Sequence, residues 1–291
     1  MSQPINRLRS LLPIPHTWYR FLITLLVVML FGWGLLPTAA FARTQAPTTD
    51  KSIAPYLDSV SDRLTEFRLD NGMKFIVLER HQAPVVSFLT YADVGGANEP
   101  DGKTGVAHFL EHLAFKGTKR IGTVNYAAEK PLLDRLDTLA EQIQAAKTAK
   151  KPVELIKLQA EFDKVQAEAL KLVKQNELGQ IVQQSGGVGL NATTSVEATR
   201  YFYSFPANKL ELWMSLESER FLEPVFREFY KEKDVILEER RLRVDNSPIG
   251  TTIEALLDKA YNVHPYKRPT IGYEQDIRNL TREDVQQFFD T

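Results

Sequence analysis

The stretch GVAHFLEHLAFKGT, residues 105–118, holds two of the chain's five histidines, His108 and His112, with Glu111 beside the second. Apolar residues surround these three in every direction, so we predict a buried helix over about 105–116. Positions i and i+4 of a helix lie about one turn apart on the same side, and Glu111 stays near that side. Two imidazoles can then reach one metal ion with a carboxylate next to it. The alternative is a pair of hydrogen-bonded core histidines.

A catalytic zinc site needs a third protein ligand and one open position. The chain has no cysteine, so that ligand must be a histidine or a carboxylate. In the segment YKEKDVILEERRLRVDNSP, residues 230–248, Glu232 and Glu239 fall on one predicted helix face. The apolar positions that define this face are Val235, Ile236 and Leu242. A buried carboxylate needs a metal or a cationic partner. Salt bridging to Arg240 or Arg243 fits the spacing of Glu239 as well as metal binding does.

The composition excludes some partners. The chain has 291 residues, of which 43% are hydrophobic and 25% charged, as is typical of a globular protein. Its formal net charge is -1, so no excess charge favours a nucleic acid or an anionic membrane surface as partner. We therefore expect no nucleic-acid partner.

The N-terminal residues predict export. Three arginines precede the apolar run 21–36, Ala40-Phe41-Ala42 follows as a small-x-small cleavage site, and the first acidic residue is Asp50. This pattern predicts a signal peptide over residues 1–42 and a mature chain that begins at Arg43, periplasmic or otherwise extracytoplasmic. The alternatives are an uncleaved membrane anchor over residues 21–36 and a mitochondrial transit peptide, although a transit peptide would be amphipathic.

Beyond a Pro/Thr/Ser-rich linker at about 43–60, the sequence predicts strands followed by helices. EFRLDNGMKFIVLE consists of two strand-like runs around Asn71-Gly72 and predicts a hairpin. PVVSFLTYADVGG predicts a further strand, and Thr104 is a candidate N-cap for the helix of the two histidines. The aromatic run YFYSF, residues 201–205, favours a buried strand.

Residues of about 128–178 carry a different pattern. Apolar residues step by four and three along two segments, separated by the break KTAKKP. The first segment contains Leu132, Leu136, Leu139, Ile143 and Ala146, and the second contains Leu155, Leu158, Phe162, Val165, Ala169 and Leu172. This spacing predicts an antiparallel helical hairpin with coiled-coil packing. Its charged outer faces indicate either a solvated surface or a docking or gating role.

The motif around the two histidines resembles the inverted zinc motif of the inverzincins, the family of pitrilysin, insulin-degrading enzyme and mitochondrial processing peptidase. The resemblance extends over about 62–125 and 185–291. It includes LDNGMKFIVLE, DVGGANEPDGKTG, GLNATTS, KDVILEERR and HPYKRPTIGYEQDIRNLTREDVQQFF. It implies an α+β fold, a mostly antiparallel sheet packed with helices in a processing-peptidase-like domain over 61–291, with the helical hairpin inserted.

The resemblance also implies roles for individual residues. It makes His108, His112 and Glu239 ligands of Zn²⁺ and Glu111 the general base. Glu232 becomes the carboxylate that supports the ligands. Asn191 and Ala192 are expected on an edge strand that aligns an extended peptide substrate.

Such a site predicts a zinc-dependent endopeptidase acting on extended peptides or unfolded segments. A zinc ion lowers the pKa of a bound water to around 7. Glu111 would take the proton of that water and pass it to the leaving amine, and the edge strand would bind the peptide backbone by β-augmentation.

The chain departs from the family in its insertion and in its length. The family builds peptidase chambers from two homologous halves, and these residues resemble only most of one domain. We therefore expect a homologous second half or partner subunit, and a further strand beyond the helix that ends in VQQFFDT. The alternative function is a non-catalytic or incomplete subunit that acts as a peptide-binding or scaffold partner.

Overall fold

The computed structural model describes residues 53–291, which divide into two compact units at Glu79 and Arg80. The predicted signal segment 1–42 and the first part of the predicted linker lie outside the described residues. In the first unit, α1 (Ala54–Ser61) occupies the end of that linker, and β1 (Leu64–Arg68) pairs antiparallel with β2 (Lys74–Leu78). The hairpin prediction is confirmed.

The second unit contains a three-stranded antiparallel sheet of β3 (Val85–Ala92), β4 (Val188–Thr194) and β5 (Thr199–Pro206). The strand order is β3-β5-β4, so β5 is central and β4 lies at an edge of this sheet. Alternate residues of β5 are buried, as predicted for the aromatic run. These are Thr199, Tyr201, Tyr203 and Phe205.

The helix of the two histidines, α2, spans Val106–Leu113. Gly105 precedes it with φ +89°, and a Cβ at that position would lie 2.7 Å from the carbonyl oxygen of Ile271. The close approach therefore requires glycine. α2 is buried over most of its length, as its apolar surroundings predicted.

The prediction that Thr104 caps α2 is wrong. The Thr104 hydroxyl donates to Asp276 Oδ2 at 2.6 Å and accepts from the N–H of Tyr273 at 2.9 Å, so it joins α2 to a later helix instead. The first N–H groups of α2 are capped by the buried carboxylate of Glu99, which accepts from Gly105 N at 2.9 Å and from Ala107 N at 3.0 Å. A carboxylate at this end also suits the helix dipole.

The predicted helical hairpin consists of α3 (Tyr126–Thr148) and α4 (Pro152–Leu170). Lys150, with φ +53°, and Pro152 at the first turn of α4 make the break between them. The buried residues of the seam are Leu136, Leu139, Ile143, Phe162, Val165 and Ala169. All six belong to the predicted apolar set, so the sequence spacing identified the contact face.

Six further helical segments follow the hairpin. They are α5 (Glu177–Gln184), α6 (Leu210–Leu222), α7 (Phe229–Arg240), α8 (Pro248–Ala260), α9 (Glu274–Asn279) and α10 (Arg282–Phe289). A π-helical turn, Arg241–Asp245, continues α7. Among the described residues, no helix combines the length and the apolar character needed to cross a membrane. The combination of antiparallel sheets with helices and a helical hairpin is the fold class that the sequence predicted.

Candidate metal centre

Apolar packing brings α2 and α7 together. Phe109 of α2 stacks on Phe229 of α7 with ring centroids 4.7 Å apart, and Ile236 is fully buried in the same cluster. The other buried members are Val106, Leu113, Phe226, Ile277, Leu280 and Val285. This cluster sets the register of the two helices, and their polar side chains meet beside it.

The face predicted for α7 is partly wrong. Val235 is 43% exposed and Leu242 62% exposed, although both were placed inside. The buried positions are Phe229, Glu232, Ile236 and Arg240. Leu242 falls outside because α7 passes into the π-helical turn, where the rotation per residue differs from that of an α-helix.

The structure brings His108, His112 and Glu239 together. The Oε2 atom of Glu239 lies 3.8 Å from His108 Nε2 and 3.5 Å from His112 Nε2. One donor atom from each residue lies within 4.8 Å of the other two. Two residues on α2 and one on α7 thus converge on a single small region.

This donor set fits zinc. Two imidazoles and one carboxylate form a recurrent catalytic zinc set, and ligand atoms about 2.0–2.2 Å from a tetrahedral ion lie about 3.4 Å from one another. Moreover, the imidazole ring of His108 is buried yet makes no hydrogen bond within the described part of the chain, since Nδ1 has no partner and Nε2 is 3.8 Å from Glu239. An unsatisfied buried imidazole is costly in a purely structural role, whereas a metal ligand needs a free nitrogen.

The two oxygens of Glu239 allow both a metal-ligand role and a salt bridge. While Oε2 faces the imidazoles, Oε1 pairs with Arg243 Nη1 at 2.5 Å. Arg240 turns away and binds Glu254 at 2.9 Å. The Arg243 contact fixes the carboxylate without using the oxygen that faces the histidines, so the salt bridge and a ligand role are compatible.

Glu232 lies behind His112. Its Oε2 is 3.3 Å from His112 Nδ1, and its Oε1 accepts from Lys116 Nζ at 2.6 Å. A carboxylate on the far nitrogen of a metal-binding histidine fixes the orientation and the tautomer of the ring. The sequence predicted Glu232 near the site but gave no indication that Lys116 contacts it.

Burial and charge give the two imidazoles opposite shifts. Burial, with the neighbouring His112, lowers the pKa of His108 to about 4, which keeps this ring neutral. Burial also acts on His112, but the carboxylates of Glu232 and Glu239 outweigh it and raise the pKa of this ring to about 9. The hydrogen bond to His112 lowers the pKa of Glu239. In the metal-free site, these shifts favour a neutral His108 and a protonated His112 with one carboxylate at each ring nitrogen.

Glu111 is held by a residue that the sequence argument missed. The hydroxyl of Thr194, the last residue of β4, donates a short hydrogen bond to Glu111 Oε2. Burial raises the pKa of Glu111, and the Thr194 hydrogen bond opposes this rise. Thr194 belongs to the quoted segment GLNATTS, but no local pattern links it to a residue 83 positions earlier.

Asn191 and Ala192 lie on β4, opposite Phe202 and Tyr201 of β5. Asn191 is exposed and Ala192 is buried. The Oδ1 atom of Asn191 accepts from the N–H of Ala192 at 2.9 Å. These residues therefore sit on the edge strand of their sheet, whose last residue contacts Glu111.

Comparisons with known proteins identify the family of the chain. The family model described as Insulinase (Peptidase family M16) matches residues 74–133 and 169–274, which make up more than half of the chain. The chain belongs to this peptidase family. The unmatched residues 134–168 fall within the α3/α4 hairpin, in agreement with an insertion.

Individual family members align with a large part of the chain. The zinc protease PqqE of Helicobacter pylori is 31% identical over 223 residues, which cover 76% of this chain and 38% of that protein. The crystal structure of a protease from Helicobacter pylori superposes with a TM-score of 0.57 at 29% identity, covering 78% of this chain and 42% of that one.

The first half of the periplasmic protease PqqL from Escherichia coli superposes with a TM-score of 0.54 at 22% identity, covering 78% and 39%. The chain thus spans about two fifths of the Helicobacter pylori proteins and of the first half of PqqL, but only 20% of the complete PqqL chain. The family relates it to zinc-dependent proteases.

Proposed function

We propose that this chain is the metal-binding part of a zinc-dependent endopeptidase that hydrolyses extended peptides or unfolded segments. His108, His112 and Glu239 hold the zinc ion in this proposal, and Glu111 is the general base. The observation that carries it is the convergence of both Nε2 atoms on Glu239 Oε2, within 3.8 Å. Glu111 lies on α2 with the two histidines, one position before His112.

The residues of the site have separate roles in the proposed reaction. Zinc bound there would lower the pKa of a water molecule and polarise a peptide carbonyl. Glu111 takes a proton at Oε1, since Oε2 is engaged by Thr194, and returns that proton to the leaving amine. Its raised pKa suits a group that must both accept and release a proton. Glu232 orients His112.

We propose that the peptide binds along β4. An edge strand offers unpaired backbone groups, and an extended peptide can add to it as a further strand. The side-chain oxygen of Asn191 accepts a hydrogen bond from the backbone N–H of Ala192. A bound peptide would therefore either displace the Asn191 side chain or accept hydrogen bonds from its NH2 group. The bond from Thr194 to Glu111 would align this strand with the base.

The alternative of a non-catalytic peptide-binding or scaffold subunit predicts loss of at least one member of the site. Both histidines and Glu239 are spatially clustered, and Glu111 is present on the helix of the histidines, which favours catalysis. The chain's share of its relatives' length supports the further proposal that a homologous second half completes the active enzyme.

We also propose export from the cytoplasm. The pattern of residues 1–42 supports a signal peptide, and PqqL, a structural neighbour, is described as periplasmic. N-terminal sequencing of the exported protein should begin at Arg43. Recovery of the intact chain from membranes would indicate an anchor over residues 21–36 instead.

The test is zinc content followed by hydrolysis. Purified residues 43–291 should hold close to one zinc per chain by elemental analysis, and His108→Ala and His112→Ala should lose it. His264→Ala, an exposed histidine in a turn, is the matched control and should keep it. A wild-type chain that cannot be loaded with zinc would refute the metallopeptidase proposal.

Cleavage of a fluorogenic unstructured peptide then tests the second half. Incomplete enclosure misplaces the substrate, so the isolated chain should cleave weakly or not at all. Addition of a homologous second half should raise turnover by about 100-fold or more. Full activity of the isolated chain would show that no second half is needed.

A further inference from the structure

Lys116 connects the carboxylate behind His112 to the loop that follows α2. Its Nζ atom lies 2.6 Å from Glu232 Oε1 and 3.7 Å from Glu228 Oε2. The other oxygen of Glu232 faces His112 Nδ1 at 3.3 Å. A single carboxylate therefore bridges the lysine ammonium group and the imidazole, and its orientation depends on both.

The backbone of Lys116 is held by Arg227, whose side chain is fully buried. The Nη1 atom of Arg227 donates to the carbonyl oxygens of Lys116 at 2.5 Å and Ile121 at 3.0 Å, and Nη2 donates to that of Thr118 at 2.6 Å. The loop closes tightly on this guanidinium group. At Gly122, with φ +88°, a Cβ would lie 2.4 Å from Lys116 O and 2.8 Å from Arg227 Nη1.

The remaining donors of Arg227 reach the helical hairpin. Glu129, near the start of α3, accepts from Nε at 2.9 Å and from Nη2 at 3.3 Å, and both side chains are completely buried. All five N–H groups of the guanidinium are thereby used. Loss of Glu129 would leave a buried arginine without its counter-charge, which a folded protein tolerates poorly.

A second set of contacts joins the hairpin to α7. Tyr230 of α7 donates its hydroxyl to Asp137 of α3 at 2.8 Å, and its ring meets Phe162 of α4 edge-on with centroids 5.1 Å apart. α7 also carries Glu232 and Glu239. The segment that the family model leaves unmatched is thus bonded to the helix that supplies the carboxylates of the site.

We propose that Lys116 is a positioning residue for the metal centre and that Arg227, held by Glu129 of the hairpin, fixes Lys116 in its place. The contacts run without interruption from Glu129 through Arg227, Lys116 and Glu232 to His112. Through them, the hairpin contributes to metal affinity. The inference rests on the proposed zinc site, but it assigns roles to residues outside the ligand set.

The experiment measures zinc affinity of residues 43–291 by competition with a chromophoric chelator. Lys116→Met keeps the length of the side chain but removes its charge, and it should weaken zinc binding roughly 10- to 100-fold, as loss of a supporting contact does. Lys116→Arg should recover part of this loss. Lys119→Met is the matched control: it lies in the same loop, pairs with Glu223 at the surface and should bind zinc as the wild type does.

Two further measurements separate positioning from general damage. The melting temperature of the metal-free Lys116→Met protein should stay near that of the Lys119→Met protein. The absorption spectrum of bound Co²⁺ should change in Lys116→Met alone, because it reports ligand geometry. Glu129→Gln, which keeps volume and one acceptor, should lower zinc affinity in the protein that remains folded.

The outcomes are distinguishable. Wild-type zinc affinity in folded Lys116→Met would overturn the proposal while leaving the zinc site intact, and wild-type affinity in Glu129→Gln would remove the hairpin from it. A wild-type chain that binds no zinc would overturn both the site and this inference. Zinc binding without hydrolysis, even after a homologous second half is added, would affect only the proposed catalytic role.

Discussion

The α3/α4 and α2/α7 helix pairs are held together in different ways. The α3/α4 seam is built from buried apolar residues at regular spacing, with charged partners outside. The α2/α7 contact has an apolar centre at Phe109, Phe229 and Ile236, but it also carries buried and partly buried histidines and carboxylates. The buried contacts of the first pair are apolar. The second includes groups that are expensive to bury without a ligand.

This difference separates stability from function. In the hairpin, the loss of an inward residue costs packing energy. Between α2 and α7, the apolar contacts also set the distances among the site residues. Mutations in the two regions should therefore have similar effects on unfolding but different effects on zinc and on catalysis.

The largest effect is expected from Glu111. Glu111→Gln keeps the shape of the side chain but cannot accept a proton, so hydrolysis by the chain with its second half should fall by about 10²–10⁴-fold. Zinc content should stay at the wild-type level, because the proposed role of Glu111 is that of the base and not of a ligand. Peptide cleavage and elemental analysis on the same preparation provide the measurement.

Glu239→Gln provides the contrast, since it should weaken zinc binding as well as hydrolysis. Glu238→Gln, one position earlier and paired at the surface with Arg241, should change neither. Equal loss of zinc in the Glu111 and Glu239 variants would show that the roles assigned to them are wrong.

The next prediction compares the apolar contact between α3 and α4 with the one between α2 and α7. Leu139→Ala in the hairpin and Ile236→Ala in α7 each remove a fully buried side chain, and each should lower the free energy of unfolding by about 3 kcal/mol. Denaturant titration of the metal-free proteins measures this. Zinc affinity should stay unchanged in Leu139→Ala but fall roughly tenfold in Ile236→Ala, because the cavity lets Glu239 move relative to the histidines. Equal zinc affinities would show that the α2/α7 packing does not set the site.

The sequence predicted the hairpin seam well because the relevant information is local. Six buried residues repeat at intervals of three and four, and all six lie on the two helices of the seam. On α7 the same reasoning misplaced Val235 and Leu242, because neither the π-helical turn nor the position of α2 can be read from local spacing.

The polar contacts of the site were the least predictable. His108, Glu111 and His112 stand in one recognisable motif, and the resemblance favoured a ligand role for Glu239 over a purely salt-bridging one. However, Thr194 bonds to Glu111 across 83 positions and Glu232 approaches His112 across 120. Such contacts depend on how the sheet and helices pack together. Local sequence patterns record none of that packing.

The smallest predicted effect concerns the end of α2, where Glu99 replaces the predicted Thr104 cap. Burial raises the pKa of Glu99 to about 7, although the N–H groups of Gly105 and Ala107 and the charge of Arg268 oppose the rise. The folded protein therefore holds this proton more tightly than the unfolded chain does. Its contribution to stability is fully present below the ordinary glutamate pKa and is lost as pH rises through about 7.

The free energy of unfolding of the metal-free wild type should consequently fall by about 2 kcal/mol between pH 5 and pH 7 through Glu99 alone. Glu99→Gln removes the titration and keeps one acceptor for the helix N–H groups, so this part of the pH dependence should vanish. Urea titrations at pH 5, 6, 7 and 8 give the difference between the two proteins, and the exposed Glu211→Gln serves as control. Parallel pH curves for wild type and Glu99→Gln would show that Glu99 is ionised in the folded protein. Glu99 would then cap α2 as a charged carboxylate and stabilise this helix through its dipole at neutral pH.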